Sequence, residues 1–297
     1  MKLNAVVLNW RTAELAERSA LALIGDGVPA ERVVVVDNGS GDGSAERLAT
    51  ALPDCVVLPL ERNVGFARAN NEGAACLPGD GYLFVNSDAF VHDRGSVGRM
   101  VERAASAALV VPRLLNEDLT LQGNVVPRTT VAVELVRASG ASRLVPSPRW
   151  STHWDHATAR SVDAAIGAVV LVRADAWADL GGFDERRFMY AEDLDLFWRA
   201  RERSWPIWFE PTATFVHLGG ASAGRRWSSP DRAARVAAAE ADMIRAHRPA
   251  AAALTTLGVM AAGTAVRAGI AAATRNRERA RELAAFTRGY LAKPDRG

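Results

Sequence analysis

Three short stretches place carboxylates where an apolar run of the chain ends. In VVVVDNGSGDGS, residues 33–44, the run stops at Asp37, and Asn38 to Ser44 are all Asn, Gly, Ser or Asp, the composition of a tight loop that exposes backbone amides. Asp37 can then accept a hydrogen bond from a nucleobase or ribose, although a strand-end aspartate in a plain turn looks the same. In FVNSDAF, residues 84–90, the run reaches Asp88 with Asn86 two positions earlier. One or two carboxylates are enough to hold Mg2+ or Mn2+ against a diphosphate, and an aspartate that caps a turn fits equally well.

The third stretch is FMYAEDLDLFWRA, residues 188–200, where Glu192, Asp193 and Asp195 interrupt large apolar side chains. If AEDLDLFWRAR is helical, the acids crowd into the first turn, the end that the helix dipole makes favourable for negative charge. That reading accounts for Asp195, which has Arg199 at i+4. It does not account for Glu192 and Asp193 following the bulky FMY after GGFDE. A carboxylate in partly apolar surroundings has a raised pKa and can act as a general base. The spacing of Leu194, Phe197, Trp198 and Arg201 predicts the buried face of this helix.

Such residues need a scaffold. LNAVVL (3–8) and VVVVD (33–37) flank AELAERSALALI (13–24), in which Leu15, Ala22 and Leu23 line one helix face. CVVLPL (55–60), GFARANNEGAAC (65–76) and GYLFVNSD (81–88) continue the alternation. This rhythm predicts a parallel sheet covered by helices, with ligands beyond the carboxyl ends of its strands. LVVPRLL (109–115), DAAIGAVVLVR (163–173) and WPIWFEPTATFVHL (205–218) read as further strands, residues 116–160 as a loop-rich insertion facing a variable ligand, and the chain beyond Pro230 as helical.

With 297 residues and 49% hydrophobic side chains, the chain can build one large domain or two closely packed ones. Cys55 and Cys76 fit no metal-ligand spacing and read as reduced core residues. MKLNAVVLNWRTAE has no leader pattern, so the expected location is the cytoplasm. The 36 basic residues, nearly all arginine, are balanced by 34 acids, which argues against a nucleic-acid partner. Residues 231–297 nevertheless hold 12 Lys/Arg against 6 Asp/Glu, a basic tail on an acidic body.

Taken in order, VVLNW, VVVVDNGSGDGS, NVGFARANNEG, FVNSDAFV, GAVVLVR, LGGFDERRFMYAEDLDLFWRA and PTATFVHLGGAS resemble the family 2 glycosyltransferases of the GT-A fold, in their rhamnosyltransferase-like branch, over about residues 3–222. The resemblance implies an α/β fold: a Rossmann-like nucleotide-binding α/β/α sandwich with a mostly parallel sheet and a C-terminal helical segment. Residues 1–110 would form the nucleotide-sugar-binding half, 111–230 the acceptor-binding and catalytic half, and 231–297 a helical extension.

Carried over by motif, Asp37 would contact the pyrimidine base with Asn9 and Trp10 nearby, and Asn63, Gly65, Asn70 and Asn71 would form part of the nucleotide pocket. Asn86-Ser87-Asp88 takes the DXD position, with Asp88 as metal ligand and Asn86 as helper, and His217 completes the metal site. Asp193 would be the base that deprotonates an acceptor hydroxyl, with Glu192 positioning the acceptor or a loop, and Gly181 to Asp184 shaping the approach.

The implied reaction is inverting transfer, dependent on Mn2+ or Mg2+, from dTDP-rhamnose or a UDP-sugar donor to a hydroxyl of a saccharide or lipid-linked saccharide acceptor. A small natural product is the alternative acceptor. A sugar nucleotidyltransferase would show a Gly-rich, Lys- or Arg-bearing loop after the first strand, where this chain has NWRTAE, and a non-catalytic sugar-binding module would not need Glu192-Asp193. In the tail, PAAAALTTLGVMAAGTAV (249–266) carries no charge and RNRERARE (275–282) is basic, so residues 249–288 suit a packed helix, a homodimer contact or peripheral contact with the inner face of the plasma membrane. GRRW (224–227) is a candidate cover for the diphosphate, against solvated surface arginines.

Overall fold

Runs of β-branched residues build the centre of the sheet. In the computed structural model, which describes residues 1–139, 147, 149, 154–219 and 229–293, β1 (Leu3–Asn9), β2 (Val33–Asp37), β3 (Val56–Pro59) and β4 (Gly81–Asn86) run parallel in the order β3-β2-β1-β4. Every residue of β2 is buried. A parallel strand covered on both faces has no polar side, and the connecting helices supply the cover.

α1 (Ala13–Gly25) packs Ala16, Ala20 and Leu23 into the cluster that holds Ala5, Val7, Val33 and Val35. α3 (Phe66–Ala75) lies against the alternate residues Val6 and Val36. The buried line of α1 thus falls on Ala16, Ser19, Ala20 and Leu23, with Leu15 and Ala22 only half-buried, because small side chains let the helix approach the sheet. α2 (Ser44–Ala51) connects β2 to β3.

Beyond β4 the sheet changes direction. β11 (Val169–Arg173) runs antiparallel between β4 and β6 (Leu109–Leu115), while β12 (Ile207–His217) is parallel to β6 and antiparallel to β5 (Ala89–Val91). The expected parallel arrangement therefore holds for β3-β2-β1-β4 and for β6-β12, and the inserted β11 makes the sheet mixed. Pro211 sits where the β12 register shifts between Glu210 and Thr214, a bulge that accommodates a residue unable to donate to the ladder.

DAAIGAVVLVR is not one strand. β10 (Ala164–Ala165) pairs with β8 (Val125–Val126), the chain breaks at Ile166–Ala168, and β11 follows. The insertion at 116–160 also holds order that no periodicity announced: β7 (Leu121–Gln122) on β6, β9 (Arg160–Ser161) on β12, and α5 (Val131–Ala138). Two-residue strands are too short for an alternating pattern to show. α4 (Ser96–Arg103), α6 (Ala174–Leu180) and α7 (Glu192–Glu202) complete the elements around the sheet.

The chain divides into two units, Met1–Val125 with Asp155–Ser222 and Val126–Trp154 with Ala223–Gly297. The second contains α5, α8 (Ser229–His247), α9 (Ala250–Ala273) and α10 (Arg277–Leu291). The Thr130 hydroxyl caps α5 by accepting from the Val133 N–H, and the Tyr290 hydroxyl of α10 donates to Glu240 of α8 at 3.1 Å. Gly224–Trp227 lies outside the described residues.

Candidate active site

Strand register gathers the first candidates. Asn9 stands opposite Asp37 and Leu8 opposite Asn86, so Asn9, Asp37 and Asn86 end three adjacent parallel strands at one edge of the sheet. Asn9 donates through Nδ2 to Asp37 Oδ1 at 2.6 Å, and the Ser40 hydroxyl donates to the same oxygen. The Ser40 backbone N–H reaches Asp37 Oδ2 at 3.2 Å. Asn9 Oδ1 in turn accepts from the N–H and the hydroxyl of Thr12, whose Oγ1 lies 3.0 Å from Ser87 Oγ. The loops after β1, β2 and β4 are thus tied together by buried polar side chains. Trp10 is half-buried, with the Arg11 guanidinium 5.2 Å from its ring centre.

Asn63 Oδ1 accepts from the Gly65 N–H at 3.0 Å, and Asn38 reaches the same loop by donating to the Gly65 carbonyl and accepting from the Val64 N–H. Thr12, Asn38, Ser40 and Ser87 are buried polar members of this region that motif reasoning did not single out. Their signal was the polar composition of the loops. Asn70 donates back to Phe66 within its own helix, and Asn71 bonds both the N–H and the carbonyl of Phe183. Asn71 therefore fastens the GGFDE loop. Gly65 has φ +91°, and a Cβ there would stand 2.5 Å from the Phe188 carbonyl oxygen, so this residue lets the loop before α7 dock on the start of α3.

Asp88 and His217 meet. Oδ1 of Asp88 lies 3.4 Å from Nε2 of His217, both residues are buried, and the Leu218 N–H donates to the Asp88 carbonyl. The other ring nitrogen, Nδ1, is 2.7 Å from Oε1 of Gln122. One carboxylate and one imidazole whose second nitrogen is held by an amide oxygen form a donor set that fits a divalent cation. No group of three or more His, Cys, Asp and Glu that could hold a metal occurs among the described residues, so the remaining ligands would be water and diphosphate oxygens.

The start of α7 is strained and poorly solvated. Tyr190 and Ala191 both have positive φ, 75° and 61°, a region that costs a residue with a Cβ about 1–2 kcal/mol. Glu192 is buried, its Oε2 has no hydrogen-bond partner among the described residues, and burial together with the adjacent Asp193 charge pushes its carboxyl up to about 8. Asp193 is half-buried, and burial raises it too, while its Oδ2 accepts from the Gly167 N–H at 2.8 Å and its Oδ1 from the Leu194 N–H at 2.8 Å. Burial raises both carboxyls, and the two backbone donors on Asp193, against the bare Oε2 of Glu192, favour Asp193 as the member of the pair that carries the charge.

A Cβ on Gly167 would stand 2.6 Å from Asp193 Cβ, which is why the break between β10 and β11 falls on glycine. The next residue, Ala168, accepts from the Asn86 N–H, so two consecutive residues link the candidate base to the Asn86-Ser87-Asp88 turn. Asp195 is separate from this chemistry: it pairs with Arg199 at 2.7 Å and Arg187 at 3.2 Å. The buried side chains of α7 are Glu192, Asp195, Leu196, Phe197, Trp198 and Ala200; Leu194 is half-buried and Arg201 exposed, so most of the circumference is covered rather than the expected single stripe. Phe183 is held by Asn71, against which Gly182 packs too closely to admit a Cβ, and the Phe183 ring packs against Phe66, Phe84 and Trp177.

A model described as glycosyl transferase family 2 matches residues 13–130, which include Asp37, Asn63 and Asp88. N-acetylglucosaminyl-diphospho-decaprenol L-rhamnosyltransferase of Mycobacterium tuberculosis, in strains CDC 1551 / Oshkosh and ATCC 25618 / H37Rv, is 29% identical over 215 residues, 65% of this chain and 68% of the relative. Residues 13–130 are therefore a family 2 glycosyltransferase domain, and the chain is a glycosyltransferase.

Two solved glycosyltransferases share its architecture. A mannosyltransferase from Pyrobaculum calidifontis, in complex with GDP-Man and Mn2+, superposes with a TM-score of 0.59 at 17% identity, covering 98% of this glycosyltransferase and 86% of its own chain. GalNAc-T7, with UDP, GalNAc and Mn2+, gives 0.54 at 13% identity over 73% of this chain and 43% of its own. At these identities the likeness establishes the fold, GT-A, with the helical segment at the C-terminal end.

Proposed function

We propose that this glycosyltransferase moves a sugar from a nucleoside diphosphate, dTDP-rhamnose ahead of a UDP-sugar, to a hydroxyl of a lipid-linked saccharide, with inversion. The observation that carries the reading is Asp193: a carboxylate raised by burial, held by the Gly167 and Leu194 N–H groups, beside a Glu192 that keeps its proton. Asp193 takes the proton of the acceptor hydroxyl, the hydroxyl oxygen bonds to the anomeric carbon, and the bond to the diphosphate oxygen breaks with its electron pair leaving on the diphosphate. Inversion follows from one displacement in line. Asp88 and His217 would hold Mn2+ or Mg2+, whose charge favours departure of the diphosphate.

Asp37, Asn9 and Trp10 form the base end of the donor site, and the half up to residue 110 serves the donor while residues 111–230 serve the acceptor. The acceptor class follows the relative, whose name specifies N-acetylglucosaminyl-diphospho-decaprenol. The same partner suits α9, a 24-residue helix long and apolar enough to cross a membrane. Leu254, Val266 and Ile270 on α9 are exposed, as are Arg275, Arg277, Arg281 and Arg288 beyond its end. Peripheral contact with an anionic cytoplasmic membrane face is the reading these side chains support.

A thermal-shift panel of dTDP, UDP, GDP and CDP with and without Mn2+ or Mg2+ tests the donor site. Metal-dependent stabilisation by dTDP or UDP is expected, and its loss in Asp88→Ala. Incubating the enzyme with dTDP-rhamnose and a polyprenyl-diphosphate N-acetylglucosamine then tests transfer, and retention of anomeric configuration in the product would overturn the single displacement.

A further inference from the structure

The turn that joins β6 to β7 contains a chain of side-chain hydrogen bonds that ends on His217. Asp118 Oδ1 accepts from both the N–H and the hydroxyl of Thr120, at 3.1 and 2.6 Å. With its proton committed to Asp118, Thr120 Oγ1 accepts from Asn116 Nδ2 at 2.9 Å. That orients the Asn116 amide, whose Oδ1 accepts from Gln122 Nε2 at 2.9 Å. Gln122 Nε2 also donates to the His217 carbonyl at 3.0 Å, so both neighbours of that nitrogen are acceptors and Oε1 must be the atom that faces His217 Nδ1, 2.7 Å away. An amide oxygen can only accept. A ring proton is therefore held on Nδ1, and Nε2 is the atom that faces the Asp88 carboxylate, at 3.4 Å.

We propose that Gln122, oriented by the Asp118–Thr120–Asn116 relay, is a positioning residue that fixes the tautomer of His217 and so keeps Nε2 open for a divalent cation shared with Asp88. Without the amide oxygen, the proton moves to Nε2, donates to Asp88, and closes the pair on itself. The relay lies within a seven-residue stretch, 116–122, in a region whose sequence carried no readable pattern. It rests on the metal reading given above only for its purpose; the tautomer stands on the hydrogen bonds alone.

Two-bond 1H–15N spectra of the imidazoles, in the full chain without metal, read the tautomer directly, and a Mn2+ titration in the presence of dTDP or UDP reads the cation site. The expected results are a protonated Nδ1 in the wild-type protein, a shift of the proton to Nε2 in Gln122→Leu, and Mn2+ affinity weakened roughly ten- to hundredfold in that variant. Asn116→Ala, which leaves Gln122 in place and frees its amide to turn over, is expected to give a mixture of the two tautomers and a smaller loss. A neutral ring protonated on Nε2 in the wild type, or an unchanged tautomer in Gln122→Leu, overturns the proposal. A tautomer that switches as expected in a protein that binds no Mn2+ even as wild type upholds the positioning role and overturns the metal reading instead.

Discussion

Asp37 at the end of β2 and Glu192 at the start of α7 are both buried carboxylates, 4% and 6% exposed, in opposite company. Asp37 accepts from Asn9, the Ser40 hydroxyl and the Ser40 N–H, while Glu192 has an oxygen with no donor among the described residues and a neighbouring carboxylate one residue away. One is arranged to be a permanent acceptor in a rigid loop network. The other is arranged to hold a proton. A third carboxylate, Asp195, separates the two treatments on a single helix turn, since two arginines neutralise it three residues after Glu192. Burial alone does not give a carboxylate its task; the donors and charges packed around it do.

The sharpest way to break this contrast is Asp193→Asn, which removes the ionised member of the pair. Transfer is expected to fall by roughly 10²–10⁴-fold in single-turnover assays, with nucleotide stabilisation nearly unchanged. Asp195→Asn attacks the compensated site instead. It removes the carboxylate shared by Arg187 and Arg199, with 11% and 18% of their side chains exposed, leaving them Asp184 at 3.7 Å and the Leu180 carbonyl, and a loss of about 3 kcal/mol is expected in denaturant unfolding. Gly167→Ala leaves both carboxylates in place but forces a Cβ against Asp193, so kcat should drop by about 10²-fold while circular dichroism stays native.

Glu192→Gln tests the proton itself. Because folding raises this carboxyl from 4.5 to about 8, the unfolded chain releases the proton first as pH climbs, and wild-type stability is lost across that window and levels off above it. The glutamine variant should have a shallower slope, the remainder coming from Asp193, and should unfold at a higher temperature than the wild type at pH above 8 while gaining nothing at pH below 4.5. An identical pH profile for the two proteins would sink the raised carboxyl. The smallest effect is expected for Ala191→Gly, which relieves the positive φ of 61° and should stabilise the fold by about 1 kcal/mol in thermal unfolding. Its transfer rate reports whether that strain helps to hold Asp193.

Much of the architecture was legible in the chain because fully covered parallel strands must be apolar at every position. VVVVD and LNAVVLN announce themselves as β2 and β1, and the abrupt change to DNGSGDGS marks the strand end at which Asp37 sits. Ordered motifs likewise located Glu192 and Asp193. What the sequence left open is what each polar side chain does. Asn71 reads as a pocket residue and binds the Phe183 backbone, DAAIGAVVLVR reads as one strand and breaks at Gly167, and residues 116–122 read as loop and hold the relay to His217.

The reason is physical. Strand and helix identity follow from local periodicity and burial, which neighbouring residues along the chain encode. The partners of Asp193 and the tautomer of His217 depend on the Gly167 N–H, which donates, and the Gln122 amide oxygen, which accepts, 26 and 95 positions away from them in the chain. Only the folded sheet brings those groups within hydrogen-bond reach.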